Sequence, residues 1–209
     1  MSLKQFCVLS VLACSLSSPC VTSAADLSVN GYIQPGGACG IALGNGGIVD
    51  LGNLSSKDVS SLPNRTVIRN MPLTINCPHP TKVGVDTIDN RAGTRPPEWA
   101  IYPEVLGLGN PAIGYYDIFS PPYGYNSLAD GRRVVAIWRK KGKTTWEGAG
   151  DSYGNWAPNT TMSWELGSGP VAFKTLTDVL KVRVRFEGDI AFTDELEIDG
   201  SATLELVYL

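Results

Sequence analysis

The residues of this 209-residue chain best suited to chemistry are five cysteines, one histidine and a group of carboxylates near the C-terminal end. Cys39 and Cys77 are separated from Cys7, Cys14 and Cys20, which fall in the first two dozen residues. Two thiols cannot complete a tetrahedral zinc shell. The one histidine, His79, stands between Pro78 and Pro80 and reads as a loop residue. No metal site is expected. A Ser-His-Asp arrangement would have to use His79 as its base, and no nucleophile elbow is expected. No glycine-rich loop precedes a helical pattern, so a phosphate cradle is unsupported. Asp194, Glu195, Glu197 and Asp199 contain the pair of carboxylates that glycoside hydrolysis requires. Their position beside the last strand suits solubility better, and the chain is expected to be no enzyme and to need no cofactor. Tyr115, Tyr116, Tyr123, Tyr125, Tyr153 and Trp156 supply aromatic faces on which sugars stack. A monomeric carbohydrate-binding module is therefore the rival reading.

These side chains have to be positioned by secreted structure. Lys4 is followed by an apolar run from Phe6 to Leu16 and small residues up to Ala24-Ala25. This is the layout of a signal peptide, residues 1–24, cleaved after Ala24 or one residue later. The run is shorter than the roughly 20 residues a membrane span needs. Cleavage would remove Lys4 and no acidic residue, so the mature chain is slightly more acidic than the formal −3 of the whole. That balance gives no sign of nucleic-acid binding. Cleavage would also leave Cys39 and Cys77 as an even pair in an oxidising compartment, where a disulfide forms.

Residues 25–209 show many short strand patterns punctuated by Gly, Pro and Asn. Met71, Leu73, Ile75 and Cys77 share one face, and Val83 and Val85 begin another. Leu180, Val182, Val184 and Phe186 alternate with Lys181, Arg183, Arg185 and Glu187, as in a half-buried antiparallel strand. Ile198, Gly200, Ala202, Leu204, Leu206 and Tyr208 alternate to the chain end. No stretch has a convincing helical period with caps. An all-β sandwich is expected. Residues 94–169, which hold all five tryptophans, are expected to add long loops or extra hairpins. Arg139-Lys140-Lys141-Gly142-Lys143 reads as a charged turn between two strands. Ahead of Cys39, Leu27, Val29, Gly31 and Ile33 share one face of a short alternating segment. It is either the chain's own first strand or a strand given to another molecule.

The two ends carry a resemblance. Leu27-x-Val29-x-Gly31-x-Ile33-x-Pro35 leads to Cys39. Pro72-Leu73-Thr74-Ile75-Asn76-Cys77 and Asp89-Asn90-Arg91-Ala92-Gly93 follow. Pro170-Val171-Ala172-Phe173-Lys174-Thr175-Leu176-Thr177 and the closing Leu196 to Leu209 complete the match. The chain resembles subunits of chaperone–usher fimbriae, and more narrowly a fimbria-associated family of uncharacterised bacterial secreted proteins. The resemblance implies an immunoglobulin-like, pilin-like sandwich over residues 39–209 that lacks its final strand, with residues 25–38 as an N-terminal donor segment. It implies a groove edged by Leu204, Leu206 and Tyr208, filled first by a periplasmic chaperone and then by Leu27, Val29, Gly31 and Ile33 of a neighbouring subunit. Cys39–Cys77 would be the usual early disulfide. The implied partners are the chaperone, an outer-membrane usher, neighbouring fimbrial subunits and, for a tip adhesin, a host or surface glycan. The implied route is through the periplasm to the cell surface.

Overall fold

Apolar–polar alternation sets the long strands, and glycine, proline and asparagine end them. The computed structural model describes residues 37–121, 126–148, 154–188, 190 and 196–209. The chain divides into two units, Met1–Ile33, which lies outside the described residues, and Gln34–Leu209, to which everything below refers. In chain order the strands are β1 (Gly40–Leu43), β2 (Thr66–Thr81), β3 (Val83–Asp89), β4 (Leu106–Gly107), β5 (Gly114–Ser120), β6 (Leu128–Ala129) and β7 (Arg132–Arg133). They continue with β8 (Val135–Lys140), β9 (Glu147–Gly148), β10 (Gly154–Asn155), β11 (Thr160–Glu165), β12 (Phe173–Phe186) and β13 (Ala202–Tyr208).

Two antiparallel sheets form an all-β sandwich. The first runs β1-β2-β12-β5-β10, with β4, β6 and β7 attached at its margins; the second runs β13-β3-β11-β8-β9. The long β12 pairs with β2 on one side and β5 on the other. Its alternating residues Leu180, Val182, Val184 and Phe186 are all buried, as are Met71, Leu73, Ile75 and Cys77 of β2. From the second sheet, Val83, Val85, Met162 and Trp164 meet them. Trp156 and Trp164 are wholly enclosed, and each indole N–H has a partner: Ser120 Oγ at 3.0 Å and Asp178 Oδ2 at 3.1 Å. A buried indole N–H without an acceptor would be costly.

The middle of the chain carries extra hairpins, β4–β5, β6–β7 and β8–β9. The basic run forms the turn after β8, where Lys143 N–H donates to the Lys140 carbonyl at 3.0 Å. Cys39 and Cys77 are joined in a disulfide that ties the start of β1 to β2.

Two local features differ from the expected pattern. Ser56–Ser61 is a short α-helix, α1, closed by a reciprocal capping box between Ser55 and Asp58. Six residues are too few to show a helical period, and the helix is held instead by that cap and by buried Val59. The last strand begins at Ala202, not at Ile198. Asp199 N–H donates to the Leu108 carbonyl at 2.9 Å rather than joining the ladder with β3. A Cβ on Gly200 would stand 3.0 Å from the Tyr116 ring and 3.1 Å from Leu108, so the backbone there lies directly on side chains of the core.

Candidate functional site: an open groove between two sheet edges

β1 and β13 each pair on one side only among the described residues, β1 with β2 and β13 with β3. The free edge of β13 therefore presents alternate N–H and C=O groups with no ladder partner. Between these two edges lies a groove of about 980 Å³. Its floor is the inner face of the first sheet, including Leu180, Val182, Val184 and Phe186. One wall is formed by Leu196, Ile198, Ala202 and Leu204, the other by Leu43, Val49, Leu51 and Leu54. Val49, Leu51, Leu54, Leu196, Ile198 and Leu204 are partly buried against the core. Charge is confined to Asp50 and Glu197 among the lining residues.

The groove has defined ends. At one, Gly200, Leu108, Ile113 and Tyr116 come together, and burial pushes the Tyr116 phenol well above its ordinary range. Beside it, Arg91 pairs with Asp199 at 2.6 Å. At the other, Tyr208 Oη accepts the Cys39 N–H at 2.8 Å and bridges the last strand to the start of the first.

The residues expected to edge the groove fall in three different places. Leu204 lines it. Leu206 lies on the same face of β13 but packs against the core outside the lining. Tyr208 is 57% exposed and reaches across the end rather than into the cavity, because the disulfide end of β1 stands within hydrogen-bond range there. Leu27, Val29, Gly31 and Ile33, and the signal segment 1–24, lie outside the described residues. The wall supplied by Leu43–Leu54 had no signal in strand periodicity, since it is not a regular strand along its length, whereas Ile198 on the other wall belongs to the alternation read to the chain end.

The other candidates are reduced by burial and by topology. Tyr115, Tyr116 and Trp156 are buried in packing and offer no open stacking face. Tyr123, Tyr125 and Tyr153 lie outside the described residues, as do Asp194 and Glu195. Glu197 is exposed, and Asp199 is engaged by Arg91. Gly150-Asp151-Ser152-Tyr153-Gly154 spells the Gly-x-Ser-x-Gly pattern, which requires a helix after the serine. Residues 150–153 lie outside the described residues, but Gly154 opens strand β10 rather than a helix.

Residues 27–101 match the model of a family described as a protein of unknown function (DUF1120). The matched stretch contains both bonded cysteines and strands β1 to β3. No curated protein matches the chain.

Proposed function

We propose that this chain is a non-enzymatic structural subunit of a chaperone–usher fimbria, carried through the periplasm to the cell surface and polymerised by donor-strand exchange. The observation that carries this reading is the apolar groove between two edge strands with unpaired backbone. A strand laid along β13 would complete its ladder and lie over the apolar floor in one step, which is strand addition to an open sheet edge. The segment Leu27–Ile33 has the length and pattern to do so. It has seven residues, as has β13. At about 3.4 Å per residue the two are matched in reach. Its apolar side chains alternate, so one face would enter the groove while the other faces water. Given by each subunit to the next, the contact is head-to-tail and extends into a fibre. A periplasmic chaperone would hold the groove before the neighbouring subunit does, and an outer-membrane usher would be the site of exchange.

Deleting residues 25–33 tests this. The truncated subunit is expected to accumulate with its chaperone and to leave no polymer on the surface. Polymer at unchanged length and amount would overturn the reading. So would a wild-type chain that is monomeric in solution with residues 25–33 protected in its own groove.

A further inference from the structure

At the far margin of the sandwich from β1 and β13, the sheets part again. The sheet orders place β10 at the end of the first sheet and β9 at the end of the second. A cleft of about 760 Å³ opens there, within the size range of small-ligand sites.

Strand register says which side chains face it. Residues directly opposite in an antiparallel ladder share a face. Trp138 stands opposite Met162, a fully buried core residue, and also opposite Glu147 of β9. Lys140 stands opposite Thr160 on the same face. Along β8 this face runs from Ala136, buried in the core, through half-buried Trp138 to exposed Lys140. The indole therefore sits where the apolar interior gives way to solvent. Around it stand Glu104, Lys140, Glu147, Asn155 and Asn159.

An aromatic ring at the mouth of a cleft whose rim is carboxylate, ammonium and carboxamide is the chemistry that recognises a polyhydroxylated ring. The C–H face of a sugar packs on the indole, and its hydroxyls both donate and accept at the rim. The charges narrow the class. Lys141 is engaged by Asp86 at 2.8 Å, which leaves Lys140 against two carboxylates, Glu104 and Glu147. A net negative rim repels an anionic sugar. The geometry points to a binding site for a neutral saccharide, stacked on Trp138 and held by Glu147 and Lys140 on the same face. This site lies at the opposite sheet margins from the groove, so it stays open whether or not the groove is filled, and it does not rest on the fimbrial reading.

Saturation-transfer difference NMR on the full chain, in its native assembly state, tests the proposal. The probes are methyl glucoside, methyl galactoside, N-acetylglucosamine, lactose and the acidic sugar N-acetylneuraminic acid. Saturable binding of at least one neutral probe is expected. Glu147→Ala and Lys140→Ala, both at exposed positions, should each weaken it about tenfold through the loss of hydrogen bonds. Trp138→Ala should abolish it. No transfer to any neutral probe, binding confined to N-acetylneuraminic acid, or binding unchanged in both Glu147→Ala and Lys140→Ala would each overturn the assignment.

Discussion

Asp178 is buried in the core beside the Trp164 indole, an unusual place for a carboxylate. Its Oδ2 accepts the Trp164 indole N–H at 3.1 Å and its Oδ1 accepts the Val179 N–H at 2.7 Å. The Ser127 and Ser120 hydroxyls also hydrogen-bond it, so Asp178→Ala removes the acceptor of several buried donors and should lower unfolding stability by about 2–4 kcal/mol, measurable in a denaturant titration. Burial also holds the carboxyls of Asp178 and Asp117 above the ordinary carboxylate range. For Asp117 that desolvation outweighs the Arg183 guanidinium 2.9 Å away. Each group then binds its proton more readily folded than unfolded. Its contribution to stability is complete below the ordinary value of 3.8 and is lost as pH rises through the raised folded value. Between about pH 4 and pH 7 the melting temperature of the wild-type chain should fall more than that of Asp178→Asn, which has no such proton to lose. Equal slopes would show that Asp178 does not titrate in this window. Alternation places Asp178 on the inward face of β12 with Leu176, Leu180 and Val182, but it does not say what a carboxylate meets there. Only the indole packed over it from β11 makes it structural.

At the scale of elements, the Cys39 end of the groove has two different fastenings. The disulfide closes a separation of 38 residues. The chain-entropy relation assigns such a loop about 4 kcal/mol, and the double replacement Cys39→Ser, Cys77→Ser should cost about that much in chemical unfolding. Tyr208→Phe removes only the acceptor for the Cys39 N–H and should cost about 0.5–1.5 kcal/mol while leaving the disulfide in place. A loss near that of the disulfide would mean that Tyr208 supports more than this one hydrogen bond. The helix α1 depends on its cap, and Ser55→Ala should reduce stability by about 1 kcal/mol. Elements were legible where burial is one-sided. β2 and β12 announce themselves through alternation because one face meets the core and the other meets water or a thin cover. The groove wall at Leu43–Leu54 was not legible, since irregular backbone has no period and its apolar residues look like scattered loop hydrophobics.

At the scale of the whole molecule, the groove predicts a response that a closed sandwich would not show. A synthetic peptide of residues 25–33 at about a hundredfold excess over its dissociation constant should raise unfolding stability by about 2.7 kcal/mol. The shift should appear in thermal unfolding of a chain lacking its own residues 25–33, and Leu204→Asp on the groove wall should erase it. A peptide that leaves the transition unmoved at any concentration would argue against strand addition.

The all-β class, the pairing of Cys39 with Cys77 and the inward faces of the long strands were all readable along the chain. Each depends on neighbours in sequence, on a period of two, or on the parity of the cysteines. Which sheet edges stay open was decided only in three dimensions. The free edges of β1 and β13 lie about as far apart in the chain as two strands can, and nothing local in either says that they face each other across a gap. The same holds for Trp138. Its sequence neighbours mark a charged turn, while its place at the mouth of a cleft follows from ladder partners on β9 and β11 that register alone brings to its side. Alternation records that a side chain is turned inward; what it meets there depends on the packing of strands distant in sequence.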